Sequence, residues 1–243
     1  MTQRAVDLQP SSVVDPINDP HVNGEYLKQN PSWHVEYSPS KAAAILRMLA
    51  RHRIEPHTVA EVGCGAGEVL RQLQMKMPPD RTFWGFDIAQ AAIDLARQRE
   101  NERLQFFLSD LIAVETPKFD LLLVLEVVDH VEDYLRFLRQ LRSRAEWKFF
   151  SFSLDVSVQS AFRKSAFEKQ RRIFSHLHHF NKEVVLATLR HAGHEIVDTC
   201  YGPNHADTTA AKLVSPLRAL TFAMNQDFSV RVFGGHSLMV LTR

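Results

Sequence analysis

From residue 58 the chain alternates short apolar runs with amphipathic stretches. Residues 58–63 are apolar and end in glycine, residues 69–75 space their apolar positions as a helix does, and residues 82–87 form a β-rich run that closes on an acid. Short apolar runs bounded by turn residues read as strands, and apolar positions recurring at i, i+3 and i+4 read as helices. The same rule makes residues 88–99 a helix, 104–108 a strand and 119–125 the most continuously apolar strand of the chain. Residues 131–142 repeat Val131, Leu135, Leu138 and Leu141 on one face, and residues 148–152 read as the next strand. Before this series, a helical pattern opens at Pro39, with Ser40 as a candidate cap and Ala43, Ile45, Leu46 and Leu49 inward.

Five strand–helix alternations predict a parallel sheet covered on both faces. After residue 153 the rhythm breaks. Residues 155–180 look helical but are rich in charge and histidine, and the alternation resumes with a helix over 182–192 and a strand over 194–200. The segment 154–180 is therefore expected as an insertion above the sheet. A helix over 213–227 and a strand over 235–242 close the chain, with a short turn at Gly234-Gly235 between them. That return is hairpin-like rather than another right-handed crossover, so the last strand should enter antiparallel. The expected fold is a Rossmann-like, doubly wound α/β sheet of seven strands with helical lid elements. Residues 1–32, with Pro10, Pro16, Pro20 and Pro31, should form an irregular arm, and residues 33–243 one domain.

Composition narrows this little. Of 243 residues, 45% are hydrophobic and 23% charged, which suits a globular chain of ordinary core size. The formal charge of +1 gives no global field to draw in nucleic acid, and none is expected as a partner. A local cluster of Arg163, Lys164, Lys169, Arg171 and Arg172 has the charge to hold an acidic substrate but reads first as a solvated helix face. Cys64 and Cys200 fall on an expected buried turn and buried strand, so no disulfide framework is expected. The first residues lack the apolar stretch of a secretory signal, and no run approaches the roughly 18 apolar residues that would span a bilayer. A cytoplasmic protein without membrane insertion is the expectation.

Between the first expected strand and helix lies Glu61-Val62-Gly63-Cys64-Gly65-Ala66-Gly67. Glycines at such a turn let the backbone come close to a ligand whose polar groups meet free N–H groups at the helix start. About twenty residues on, Asp87 ends the second strand, where an acid can accept hydrogen bonds from both hydroxyls of a ribose. Dinucleotide and adenosylmethionine sites share that pairing. The dinucleotide fingerprint, however, needs glycine at position 68, where Glu68 stands, and a carboxylate there would repel a pyrophosphate while tolerating a sulfonium and an ammonium.

These residues resemble the class I S-adenosylmethionine-dependent methyltransferases, from about Trp33 to the end of the chain. The resemblance implies S-adenosyl-L-methionine as cofactor. It implies that Glu61, Gly63, Gly65 and Gly67 line its methionine end, that Asp87 binds the ribose and that Ile88 packs on the adenine. Ser109-Asp110-Leu111 looks like the adenine-binding turn, with Asp110 taking the exocyclic amine, and Glu126 would sit beside the methionine moiety. The segment from His176 to Asn181 resembles the one before the sixth strand in small-molecule members, and Asn30-Pro31-Ser32-Trp33-His34 resembles a lid arm. His194 departs from the aromatic of many relatives, which should matter little if it faces solvent.

Methyl transfer is an in-line displacement in which positioning and exclusion of water supply much of the rate, and a base is needed only when the acceptor must lose a proton. Histidine is the usual choice. His130, just after the fourth strand and near Glu126, is the first candidate, with Asp129 or Glu132 to orient it; capping the following helix is its structural alternative. From the cluster His176, His178 and His179 one substrate-facing residue is expected, with His179 the second candidate. No Cys or carboxylate lies at a matching spacing, so no metal is expected there. Trp33 and Tyr37 are candidates to cover the cofactor. The expected acceptor is a small molecule or sugar, with O-methylation the candidate transfer. An NAD(P)-dependent oxidoreductase and a non-catalytic nucleoside-binding protein are the alternatives.

Overall fold

In the computed structural model, residues 23–204 and 209–243 are described. Seven strands form one sheet: β1 (Thr58–Val62), β2 (Thr82–Asp87), β3 (Leu104–Leu108), β4 (Phe119–Leu125), β5 (Ala145–Ser153), β6 (Ile196–Asn204) and β7 (His236–Thr242). Their spatial order is β3-β2-β1-β4-β5-β7-β6. The first five pair in parallel, whereas β7 runs antiparallel to both β5 and β6, which is the expected hairpin-like return.

The apolar run of β4 shows why its strand has no polar face. Leu121, Leu123 and Leu125 enter the core beneath α2 (Ser38–His52), α3 (Glu68–Lys76) and α4 (Gln90–Ala96), while Leu122 and Val124 enter the opposite core beneath α5 (Tyr134–Leu141) and α8 (Lys182–His191). Side chains alternate across a strand, so a sheet buried on both faces needs apolar residues at every position. The chain turns back between β1 and β4, and at such a reversal the carboxyl ends of the strands open a crevice.

Several boundaries differ from the sequence reading for local reasons. The arm, of which residues 1–22 lie outside the described residues, carries a helical turn α1 (Glu25–Gln29). Ser40 is not a cap: α2 already begins at Ser38, and the Ser40 hydroxyl donates back to the Tyr37 carbonyl at 2.7 Å. α5 starts at Tyr134 rather than 131, because Asp133 accepts from the Arg136 N–H and caps it, leaving Val128–His130 as a separate 3-10 turn. The insertion 154–180 holds two helices, α6 (Val158–Ala161) and α7 (Ala166–Phe174), followed by a histidine-rich loop. The helix expected over 213–227 is two, α9 (Thr209–Met224) and α10 (Gln226–Phe233), because Asn225 accepts from the Phe228 N–H and starts a new helix.

His194 does not face solvent. It is buried, its Nε2 donates to the Leu138 carbonyl at 2.9 Å, and its ring meets Phe150 edge-on at 5.1 Å. The imidazole thus fills the place of a core aromatic. Burial, with Lys148 and Arg142 adding to it, brings its pKa down to about 4 despite the carbonyl hydrogen bond. Cys64 is buried as expected, and Cys200 is half-buried; both are free thiols.

Candidate active site

A cavity of about 750 Å³ opens over the carboxyl ends of the strands, within the range of small-molecule sites. One end is built by the turn after β1. Asp87, at the end of β2, accepts from the Gly65 N–H and the Ala89 N–H, each at 2.8 Å, and so ties the glycine turn to the start of α4. Gly65 lies at φ +53°, and a Cβ there would fall 2.5 Å from the Trp33 ring; Gly67, at φ +76°, would drive one into Phe106. Beyond the tight turn and the close approach of a ligand expected from the sequence, the glycines are therefore required by the protein's own packing.

Glu61 lies beneath this turn. The residue is 2% exposed, and Oε2 has no hydrogen-bond partner among the described residues. Burial pushes its pKa up to about 8, opposed by the charge of Lys41 and reinforced by that of Asp87. A buried polar atom without a partner is rare in a native fold and marks a place where a donor is wanted. Glu126 stands across from it in the left-handed conformation, φ +58°, and accepts from Lys41 Nζ at 2.8 Å. Trp33, Tyr37 and Ile88 also line the cavity, and Tyr26 packs on Trp33 with ring centroids 5.3 Å apart. Proximity to Glu126 and Asp87 adds to burial in raising the Tyr26 pKa.

Other expected residues lie elsewhere. Gly67 caps the start of α3 beside the cavity without lining it. Asp110 accepts from the Ile112 N–H at 2.9 Å, and Leu111 is wholly buried in the core, so neither side chain borders the cavity. Glu68 is held by Arg71 and Arg99, which bring its pKa down to about 2 against the opposing effect of burial. Its charge is thus offset locally, and the repulsion argued from it against a pyrophosphate is weaker than the bare sequence implies.

The far end of the cavity is lined by His130, Asp155 and His176. The partner of His130 Nδ1 is the Ser175 carbonyl at 3.1 Å, where the sequence suggested Asp129 or Glu132. Asp129 is fully buried, and burial pushes its pKa up to about 7 against the favourable charge of His176. His179 does not border the cavity; its Nδ1 points at Asp155 Oδ2 from 3.0 Å, and His178 Nε2 donates to the Val131 carbonyl. A carboxylate does join the histidine cluster, contrary to the spacing argument, because Asp155 is brought in from the end of β5. Among the described residues, Asp155, His176 and His179 are the one group of three His, Cys, Asp or Glu side chains whose donor atoms lie close together, within 4.8 Å of one another. Arg163 and Lys169 of the basic cluster border the cavity rather than forming only a solvated face.

Residues 34–199 match the methyltransferase domain family. The chain is a class I methyltransferase. Its cofactor is S-adenosyl-L-methionine, and the family decides between the alternatives left open by the glycine motif. No curated protein matches it in sequence. Among solved structures, this methyltransferase resembles the chain from a complex between the Haloferax volcanii Trm112 methyltransferase activator and a methyltransferase, at 16% identity and a TM-score of 0.62 over 95% of this chain and 98% of that one. It also resembles magnesium protoporphyrin IX methyltransferase from Synechocystis with bound S-adenosylhomocysteine, at 14% identity and a TM-score of 0.56 over 96% and 89% of the two chains. A third is the N-methyltransferase NodS from Bradyrhizobium japonicum, likewise with S-adenosylhomocysteine, at 16% identity and 0.53 over 93% and 88%. These likenesses show the fold. No helix among the described residues of this methyltransferase is long and apolar enough to cross a membrane.

Proposed function

We propose that the protein transfers a methyl group to a hydroxyl of a small molecule, with the cofactor seated at the glycine-turn end of the cavity and the acceptor at the histidine end. One observation carries this reading: a single cavity runs from Glu61, Gly63, Gly65, Asp87 and Ile88 to His130, Asp155 and His176. Its size, about 750 Å³, suits two small ligands side by side.

The residues at the first end fit the cofactor. Glu61 Oε2 lacks a donor and an ammonium is a donor with the complementary charge. Asp87 presents a carboxylate for ribose hydroxyls, and Ile88, 38% exposed, presents an apolar side chain for a purine face. Lys41 neutralises Glu126, which limits the negative charge around the site. When bound, the cofactor supplies the electrophilic methyl carbon; the chain's own part is to hold the acceptor in line, exclude water under the arm and α7, and take the acceptor's proton.

Titration of the purified protein with S-adenosylhomocysteine by calorimetry tests the cofactor end, with micromolar binding expected; no binding would overturn the assignment of these residues. Transfer of labelled methyl from S-adenosylmethionine to a deproteinised metabolite extract tests the acceptor class. Label arriving only on added protein or nucleic acid would refute a small-molecule acceptor.

A further inference from the structure

We propose that His176 is the base that takes the proton from the acceptor, and that Asp155 positions it. This rests on the acceptor end proposed above. His176 is buried yet borders the cavity. Its Nδ1 faces Asp155 Oδ2 at 2.6 Å, a charge-assisted hydrogen bond that fixes the proton on Nδ1 and leaves Nε2 as the nitrogen with a lone pair.

Asp155 is well placed to orient a ring. Its Oδ2 also accepts from His179 Nδ1 at 3.0 Å and its Oδ1 from Gln170 Nε2 at 2.9 Å, so the carboxylate is anchored from α7 and from the loop at once. The loop itself is pinned, since the Leu177 and His178 N–H groups both donate to the Asp129 carbonyl, at 2.8 and 3.1 Å. A nucleophile or base held by an oriented imidazole–carboxylate pair is the arrangement that general-base catalysis needs.

His130 is the weaker candidate, because the partner of its Nδ1 is a neutral carbonyl, that of Ser175, where His176 Nδ1 faces a carboxylate.

In the step proposed, the acceptor O–H breaks, its proton moves to His176 Nε2, and the pair left on oxygen forms the bond to the methyl carbon as the carbon–sulfur pair returns to sulfur. The charged groups facing His176 are Asp155 from the end of β5, Asp129 and Glu126 from the end of β4, with the rings of His130 and His179 beside it. Burial lowers the His176 pKa, but the Asp155 bond and the neighbouring carboxylates outweigh it and the net shift is upward.

The test uses the full chain labelled with 15N-histidine. Two-bond nitrogen–proton spectra should show His176 protonated at Nδ1 and bare at Nε2 above its pKa, with that pKa above the ordinary 6.5 or so. Asp155→Asn should move it down. A proton on Nε2 in the neutral ring, no response to Asp155→Asn, or these signals changing only on addition of zinc chloride would overturn the proposal, the last in favour of a metal site. In the metabolite-extract assay, His176→Gln should lose about 100-fold or more in transfer, within the range of a missing general base, while S-adenosylhomocysteine binding stays within threefold. A folded His176→Gln with wild-type transfer would overturn it. Failure of the wild type to bind S-adenosylhomocysteine would count against the cofactor assignment and leave the ring spectra to decide the dyad.

Discussion

The two ends of the cavity are built by different means. At the glycine-turn end, Glu61, Asp87 and Glu126 all stand at strand ends, and backbone groups are the partners of Asp87, which holds Gly65 and Ala89 through their N–H groups. At the histidine end, side chains hold side chains, with Asp155, Gln170, His176 and His179 drawn from three different elements. The first end is inseparable from the sheet. The second is an assembly laid over it, and its parts can change with less cost to the fold.

The largest effect that would sharpen this contrast is expected at Asp87. Asp87→Ala should cost roughly 2 to 4 kcal/mol of S-adenosylhomocysteine affinity, from the loss of charge-assisted bonds to two ribose hydroxyls. That is about thirtyfold to a thousandfold in Kd, read by calorimetry. Because Asp87 also holds two backbone N–H groups, a stability loss of about 1 to 2 kcal/mol should accompany it, visible as a lower Tm. Lost stability with native affinity would break the comparison, making Asp87 a strut alone.

The next effect is a pH dependence from Glu61. Its folded pKa, about 8, lies above the unfolded value, so its favourable contribution is present at low pH and is lost as pH rises from about 4.5 through 8. The wild type should lose Tm across that window and Glu61→Gln should lose less. Binding of a cationic ligand beside Glu61 should also release a proton near pH 7, measurable as a buffer-dependent binding enthalpy.

His194 gives a smaller effect of opposite sign. With a folded pKa of about 4 against 6.5 unfolded, its contribution is present above 6.5 and lost as pH falls toward 4. His194→Phe should keep the packing on Phe150, forfeit about 1 kcal/mol through the unmet Leu138 carbonyl, and flatten the decline of Tm between pH 6.5 and 4. The smallest effect is expected at the histidine end: His130→Ala should leave S-adenosylhomocysteine affinity within about threefold. A larger change by calorimetry would mean that the two ends are not separate.

The same contrast explains what could be read in the sequence. β4 was legible to the residue because a doubly buried strand needs a long apolar run, β2 and β3 because short aromatic-rich runs bounded by turn residues mark strands, and the glycine turn because its residue types have few other uses. Asp155 and His176 escaped notice as a pair since 21 positions separate them and only the fold closes that gap. The signal that was available is the density of histidine in an otherwise helical, charged insertion, which marks a place but not a partner. His194 was misjudged for a related reason: the sequence shows a polar residue, and only the packing shows that its ring substitutes for an aromatic one.

The place of β7 has a consequence for how the chain acquires its shape. β6 is hydrogen-bonded into the sheet through β7 alone, and β7 follows the other six strands of the sheet along the chain. During synthesis β1 to β5 can pair as they emerge, but β6 must wait as an unpaired strand beside an exposed β5 edge until residues 236–242 have left the ribosome. The final seven-residue strand then zips both edges at once, a long-range closure of the kind that slows folding. A chain stalled before residue 236 would present two open strand edges, and those edges, rather than the ligand cavity, are where aggregation of a nascent or truncated form should begin.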